Sequence, residues 1–137
     1  MSLKYKFYKD RNLLVDVFEG ELRLSDFRKL YIAERENLDF SEINKSISDL
    51  RSIKLKASLA EVKDFLKFMQ PANDNKTSKW AVLTESPIQT ALSLMLRMDS
   101  RYKDIVRVFS TIEGCNTFLN VNYSEREFED EDFIVVE

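Results

Sequence analysis

Residues 47–58 read ISDLRSIKLKAS, and the fold turns on whether this piece is extended or helical. Ile43, Ile47 and Leu50 fall at i, i+4 and i+7, the spacing of one helix face, and Ser and Asp are poor strand formers that prefer turns and caps. The neighbours argue the other way. On both sides strand-like and helix-like segments alternate, and alternation implies parallel strands joined by right-handed crossovers, each supplying one helix. A helix here would put two helices in succession where the architecture needs a strand. Residues 46–50 are therefore read as a strand, and the next helix opens at Ser58.

Working outward, KYKFYKDRNLLVDVFEGE (4–21) reads as two strands around a turn: Tyr5 and Phe7 alternate with lysines, KDRN punctuates, and LLVDVF is apolar and β-branched. After Gly20, Ser25 is placed to cap a helix carrying Phe27, Leu30, Tyr31 and Leu38, which ends before NLDFSE. Downstream, Leu59, Val62, Phe65, Leu66 and Met69 form an apolar stripe with Glu61, Lys63, Asp64 and Lys67 turned away. Pro71 ends that helix, and PANDNKTSK is a polar loop leading to the strand WAVLT. Ser86 followed by Pro87 opens a third helix with Ile88, Ala91, Leu92 and Met95. DIVRVFS is a further strand, and Ser110 with Glu113 reads as a capping box before Ile112, Cys115, Phe118 and Leu119. The order predicts an α/β domain: an N-terminal hairpin and a mostly parallel sheet flanked by about four helices.

Composition limits the chemistry. At 137 residues, one domain can bury about two thirds of its unfolded surface. With 44% hydrophobic and 33% charged residues, no apolar run of membrane-spanning length and no signal-peptide pattern, a soluble cytoplasmic protein is the expectation. The absence of histidine removes the usual neutral-pH base, the Ser-His and Cys-His nucleophile pairs and His-containing zinc sites. One cysteine excludes an internal disulfide and thiolate zinc clusters. Two glycines leave no Gly-rich phosphate loop. No cofactor and no metal are expected.

Charge is unevenly spread. Residues 125–137 hold seven acids against Arg126 alone, net −6, so residues 1–124 carry net +3. That division suggests a body over 1–124 and an acidic tail over 125–137. A body at +3 lacks the basic stripe of a nucleic-acid binder, and no nucleic-acid partner is expected. The tail ends in FIVV, which is strand-like and predicts docking along a sheet edge of its own or a neighbouring chain.

SDLR closing a strand, Ser58 opening the next helix, WAVLTESP as strand into capped helix, and IVRVFSTIEGCNTFL as a last βα unit together resemble the SpoIIAA-like proteins over roughly residues 12–119. That bacterial group is related in fold to the STAS domains of anti-anti-sigma factors and sulfate transporter tails. The resemblance implies a βα superhelix and a non-catalytic regulatory or protein-binding role, often under phosphorylation control. It also implies Ser58 as phosphoacceptor, since the family's phosphorylated serine sits where the loop after the Asp-Leu strand enters a helix. Ala57 and Leu59 depart from the family's flanking pattern. Ser58 with Glu61 is also a capping box, sufficient reason by itself for a serine there.

Ligands of open α/β sheets gather at the carboxyl ends of the strands. Here those ends carry Asp49, Thr84, Glu85, Ser86, Ser110 and Thr111. Asp49 and Glu85 could form a carboxylate pair for acid/base work or hold a magnesium ion, but nothing completes a catalytic set, and helix caps and solvated acids account for the group. Cys115 falls at the spacing of a buried helix face. Leu92, Leu94, Met95, Leu96 and Met98 make the third helix apolar nearly all round, more than covering one sheet face requires. The surplus predicts a second contact: a protein partner, a second copy of the chain, or a small apolar ligand in a pocket beside that helix.

Overall fold

The computed structural model describes residues 1–68, 78–98 and 102–137. Its six strands are β1 (Ser2–Tyr8), β2 (Leu13–Arg23), β3 (Lys45–Lys56), β4 (Lys79–Leu83), β5 (Val106–Phe109) and β6 (Ile134–Val136), and its helices are α1 (Leu24–Asn37), α2 (Leu59–Phe68), α3 (Pro87–Met98) and α4 (Ile112–Leu119). They form one sheet in the order β5-β4-β3-β2-β1-β6. β2, β3, β4 and β5 run parallel, whereas β1 is antiparallel to both β2 and β6. The contested stretch is thus the central strand of a mixed α/β sheet. Met69 and most of the loop PANDNKTSK lie outside the described residues.

β3 is longer than the sequence reading allowed: it begins at Lys45 and runs on to Lys56, so SDLR does not close it. The reason is its partner. β2 itself continues past Gly20, whose φ of +91° suits a residue without a side chain, and pairs with β3 from Ser52 to Lys56. Between Val17↔Asp49 and Glu19↔Ser52 the register slips, so Leu50 and Arg51 together stand opposite Phe18. This bulge inverts the side-chain alternation of β3. Before it Ile47 belongs to one face of the sheet; after it Ile53 joins Leu50 on the other. Ile43 lies ahead of the strand, and Ile47 and Leu50, three residues apart, pack on opposite faces of β3; that burial on both faces produces the helix-like spacing seen in the sequence.

One face of the sheet carries Val15, Val17, Ile47, Ala81 and Leu83 beneath Ile112, Cys115 and Leu119 of α4, with Tyr123 and, from the tail, Phe128 and Phe133. The other carries Leu3, Leu14, Phe18 and Leu22 beneath Leu30 of α1. Phe65 and Phe68 of α2 extend that layer over Val82, Tyr102 and Val106. Three successive crossovers progress in one direction across the sheet, so right-handedness puts α1, α2 and α3 on this same side.

The tail belongs to the sheet. Val136, Val135 and Ile134 pair with Leu3, Lys4 and Tyr5, making β6 an edge strand of its own chain. Its acids meet the body's cations: Lys6 with Asp130 at 3.2 Å, Arg11 with Glu127, and Arg51 with Glu125 at 2.6 Å.

Candidate functional site

The sequence-selected residues divide by location. Ser58 lies two residues beyond the end of β3, and its backbone N–H donates to Glu61 Oε1 at 3.1 Å while Glu61 N–H donates to Ser58 Oγ at 3.2 Å. This reciprocal capping box satisfies two of the open amides at the start of α2. Seven residues of strand separate Asp49 from Lys56, roughly 20–25 Å at about 3.3 Å per residue, which sets Ser58 apart from the β4 and β5 ends.

Those ends are built for helix starts. Thr84 is buried, its hydroxyl 2.9 Å from that of Thr90 in α3, and its N–H donates to the Phe109 carbonyl at 2.9 Å, tying the β4 end to the β5 end. The Ser86 carbonyl accepts from Thr90 N–H at 3.0 Å, and Glu85 is exposed. Ser110 is exposed and is not the cap of α4. Thr111 is, accepting from Gly114 N–H at 3.1 Å, because the helix begins one residue later than the Ser110–Glu113 spacing implied. Likewise α1 begins at Leu24, with Arg23 N–H donating to Asp26 Oδ2 at 2.8 Å; Ser25 sits inside the first turn.

Asp49 is held by a different residue from the one the sequence suggested. Arg51, placed by the bulge, donates from Nε to Asp49 Oδ1 and from Nη2 to Asp49 Oδ2, each at 3.0 Å. Its Nη1 and Nη2 reach Glu125 Oε1 at 2.6 Å and Oε2 at 3.0 Å. One guanidinium thus bridges the central strand and the tail by two paired contacts, and it holds Glu125 below its ordinary range. Nothing described joins Asp49 to Glu85 in the pair the sequence offered. Among the described residues no group of three or more Cys or acid side chains is placed to hold a metal ion. Cys115, on the same face, is buried, and burial raises its thiol to about 12, so it is no nucleophile near neutrality.

A second polar knot joins the hairpin to the tail. Tyr8 donates to Asp130 Oδ2 at 2.9 Å, so the Tyr8–Tyr123 contact at 3.0 Å has Tyr123 as donor. Burial lifts both phenols, Tyr8 to about 12.

Two of the apolar side chains of α3, Leu94 and Met98, lie on its outer surface. Met98 is 83% exposed and Leu94 41%, one helical turn apart, with Met95 half-buried beside them. A hollow of about 450 Å³ lies elsewhere, bounded by Asp10, Arg11, Lys45, Asn120, Val121 and Asn122.

On the opposite side of the sheet is a feature absent from the sequence reading. Asp16 in β2 and Glu34 in α1 are 7% and 5% exposed and lie within hydrogen-bonding range of each other. Tyr5 stands opposite Asp16 on β1, Ser48 opposite it on β3, and Trp80 Nε1 donates to Ser48 Oγ at 2.8 Å. The available signal was an acid inside the apolar run LLVDVF and another four residues after Leu30, both at core positions.

No family model matches the chain, and no curated protein matches it. Among solved structures it is similar to the crystal structure of an uncharacterised protein of the DUF3478 family from Shewanella loihica PV-4, described as having a SpoIIAA-like fold. The TM-score is 0.58 at 13% identity, over 87% of this chain and 95% of that one. The α/β fold is therefore of the SpoIIAA-like kind. No helix described is long and apolar enough to cross a membrane.

Proposed function

We propose that the chain is a non-catalytic interaction module of the SpoIIAA-like type that pairs with a second copy of itself through the outer face of α3. The observation that carries this reading is the exposure of Met98 and Leu94 on a helix, PIQTALSLMLRM, with one charged residue in its twelve. Surface helices of soluble domains normally turn charge outward, and an apolar stripe left in water marks a contact site. An uncharged stripe complements another apolar stripe, and a two-fold axis through Leu94 and Met98 supplies one without a second gene product. The non-catalytic part of the reading rests on the missing histidine and on Asp49 being tied to Arg51.

Size-exclusion chromatography with light scattering tests the pairing. A dimer that becomes a monomer in Met98→Glu or Leu94→Glu supports it, and a clean monomer at high concentration removes it. Native mass spectrometry tests the alternative, an apolar-ligand carrier using a pocket beside α3: a lipid-sized adduct on the monomer favours that reading. Ser58 is exposed at a helix N-terminus, where a phosphate meets open N–H groups and the positive end of the dipole. Persistent absence of modified Ser58 in protein recovered from its native host leaves it only the cap.

A further inference from the structure

Two carboxyl groups under one helix make an unusual core. Asp16 and Glu34 lie among Tyr5, Leu14, Leu30 and other apolar side chains, and Asp16 Oδ1 and Glu34 Oε2 accept no hydrogen bond from any N–H or O–H in the described structure. No lysine or arginine pairs with either among the described residues. The groups facing them can be named element by element. β1 brings the Tyr5 hydroxyl, and β3 brings the Ser48 hydroxyl, itself held by Trp80. Asp49, in β3 on the other face, adds a charge of the same sign. α1 brings Glu34 itself, with Asn37 near Tyr5. Around α1, α2 contributes Phe65 and Phe68 and exposes Glu61, Lys63, Asp64 and Lys67, while β6 contributes Val136 and exposes Glu137.

Two ionised carboxylates so placed would repel each other in a medium that screens poorly, with no cation to offset them. A single proton removes the conflict: it gives one carboxyl an O–H to donate and the other a hydrogen bond to accept. We infer that Asp16 and Glu34 share one proton in the native fold and form a pH-sensitive latch that joins α1 to the sheet and weakens as pH rises. Burial raises Asp16 to about 6, and Glu34 is raised by burial and by Asp16. In the released state both acids ionise in the ordinary range near 4. The closed state therefore binds the extra proton, and closure is favoured on the acid side and lost as pH rises.

Hydrogen exchange of the α1 amides between pH 6 and pH 8, corrected for intrinsic exchange, tests the latch. A proton taken up on closing predicts that protection falls as pH rises in the wild type, at most about tenfold per pH unit for each proton held. In Glu34→Gln the amide N–H donates to Asp16 at any of these pH values, so protection should be nearly flat. Equal slopes in wild type and variant overturn the inference. Carboxyl-carbon NMR titration of the unmodified protein is independent of whether the variant folds: Asp16 and Glu34 both titrating near pH 4 overturns the inference, and a proton retained above pH 6 supports it.

Discussion

Arg51 is the side chain that ties the central strand to the tail, through Asp49 and Glu125. It lies 22% exposed between Asp49 at 12% and Glu125 at 57%, so the Asp49 contact is the less screened of the two. Arg51→Ala leaves Asp49 largely buried without its cation and should cost about 1–3 kcal/mol, read from the urea midpoint. Arg51→Lys keeps the charge but not the fork, and should recover only part of the loss. Ser58→Ala removes one half of a solvent-exposed capping box and should cost about 1 kcal/mol, with the loss confined to α2 in hydrogen exchange. These residues also show what single positions reveal. The Ser58–Glu61 box was legible because both halves lie within four residues and the spacing states the geometry. The Arg51 bridge was not, because its acid partner Glu125 is 74 residues away and the arginine is aimed by a bulge that no local pattern signals. Asp16 and Glu34 escaped for the same reason: each is an ordinary acid until a helix folds one onto the other.

β3 was readable only through its neighbours. Its own residues favoured a helix face, and what outweighed them was the need of a parallel sheet for one strand between successive crossover helices. The strand core Lys45–Asp49, flanked by β2 and β4, satisfies that need. The extension to Lys56, paired with β2 alone, was hidden because the same stretch reads equally well as a loop. β6 makes a related point about the acidic tail, whose composition suggests solvated chain. Phe128 and Phe133 are nevertheless buried against β1 and β2 residues, with Lys4 Nζ donating to the Phe128 carbonyl at 2.8 Å. Aromatic side chains at that depth dominate over the surrounding charge. Phe128→Ala should destabilise the fold by about 3–5 kcal/mol. Deleting residues 125–137 should lower the thermal midpoint further, since it also uncovers the outer edge of β1. An unchanged melting curve after either alteration would mean the tail is not part of the core.

Across the whole molecule, two sets of carboxyl groups impose opposite pH dependences. On the tail, Glu125, Glu127 and Asp130 are held below their ordinary range by Arg51, by Arg11 and by Tyr8 with Lys6 respectively. Groups lowered in the folded state contribute stability above the unfolded pKa, and that contribution is lost as pH falls below about 4. Asp16 and Glu34 are raised, so their contribution is complete below about 4 and is lost as pH climbs through about 6 and beyond. Stability should therefore peak at about pH 4, where the tail's ion pairs have formed and the buried pair still holds its protons, and decline on both flanks. Urea midpoints measured from pH 3 to pH 9 give the curve directly. Glu34→Gln should flatten the alkaline flank and leave the acid one, because it leaves the tail's ion pairs intact. Glu127→Gln should do the reverse, since Arg11 loses its charged partner while the buried pair is untouched. Salt separates the two further: 0.5 M NaCl screens the partly exposed tail pairs and softens the acid flank, but it reaches the enclosed Asp16–Glu34 pair weakly and should leave the alkaline flank in place. A curve that peaks at or above neutrality in the wild type, with both variants parallel to it, would mean that neither group of acids governs how the molecule responds to pH.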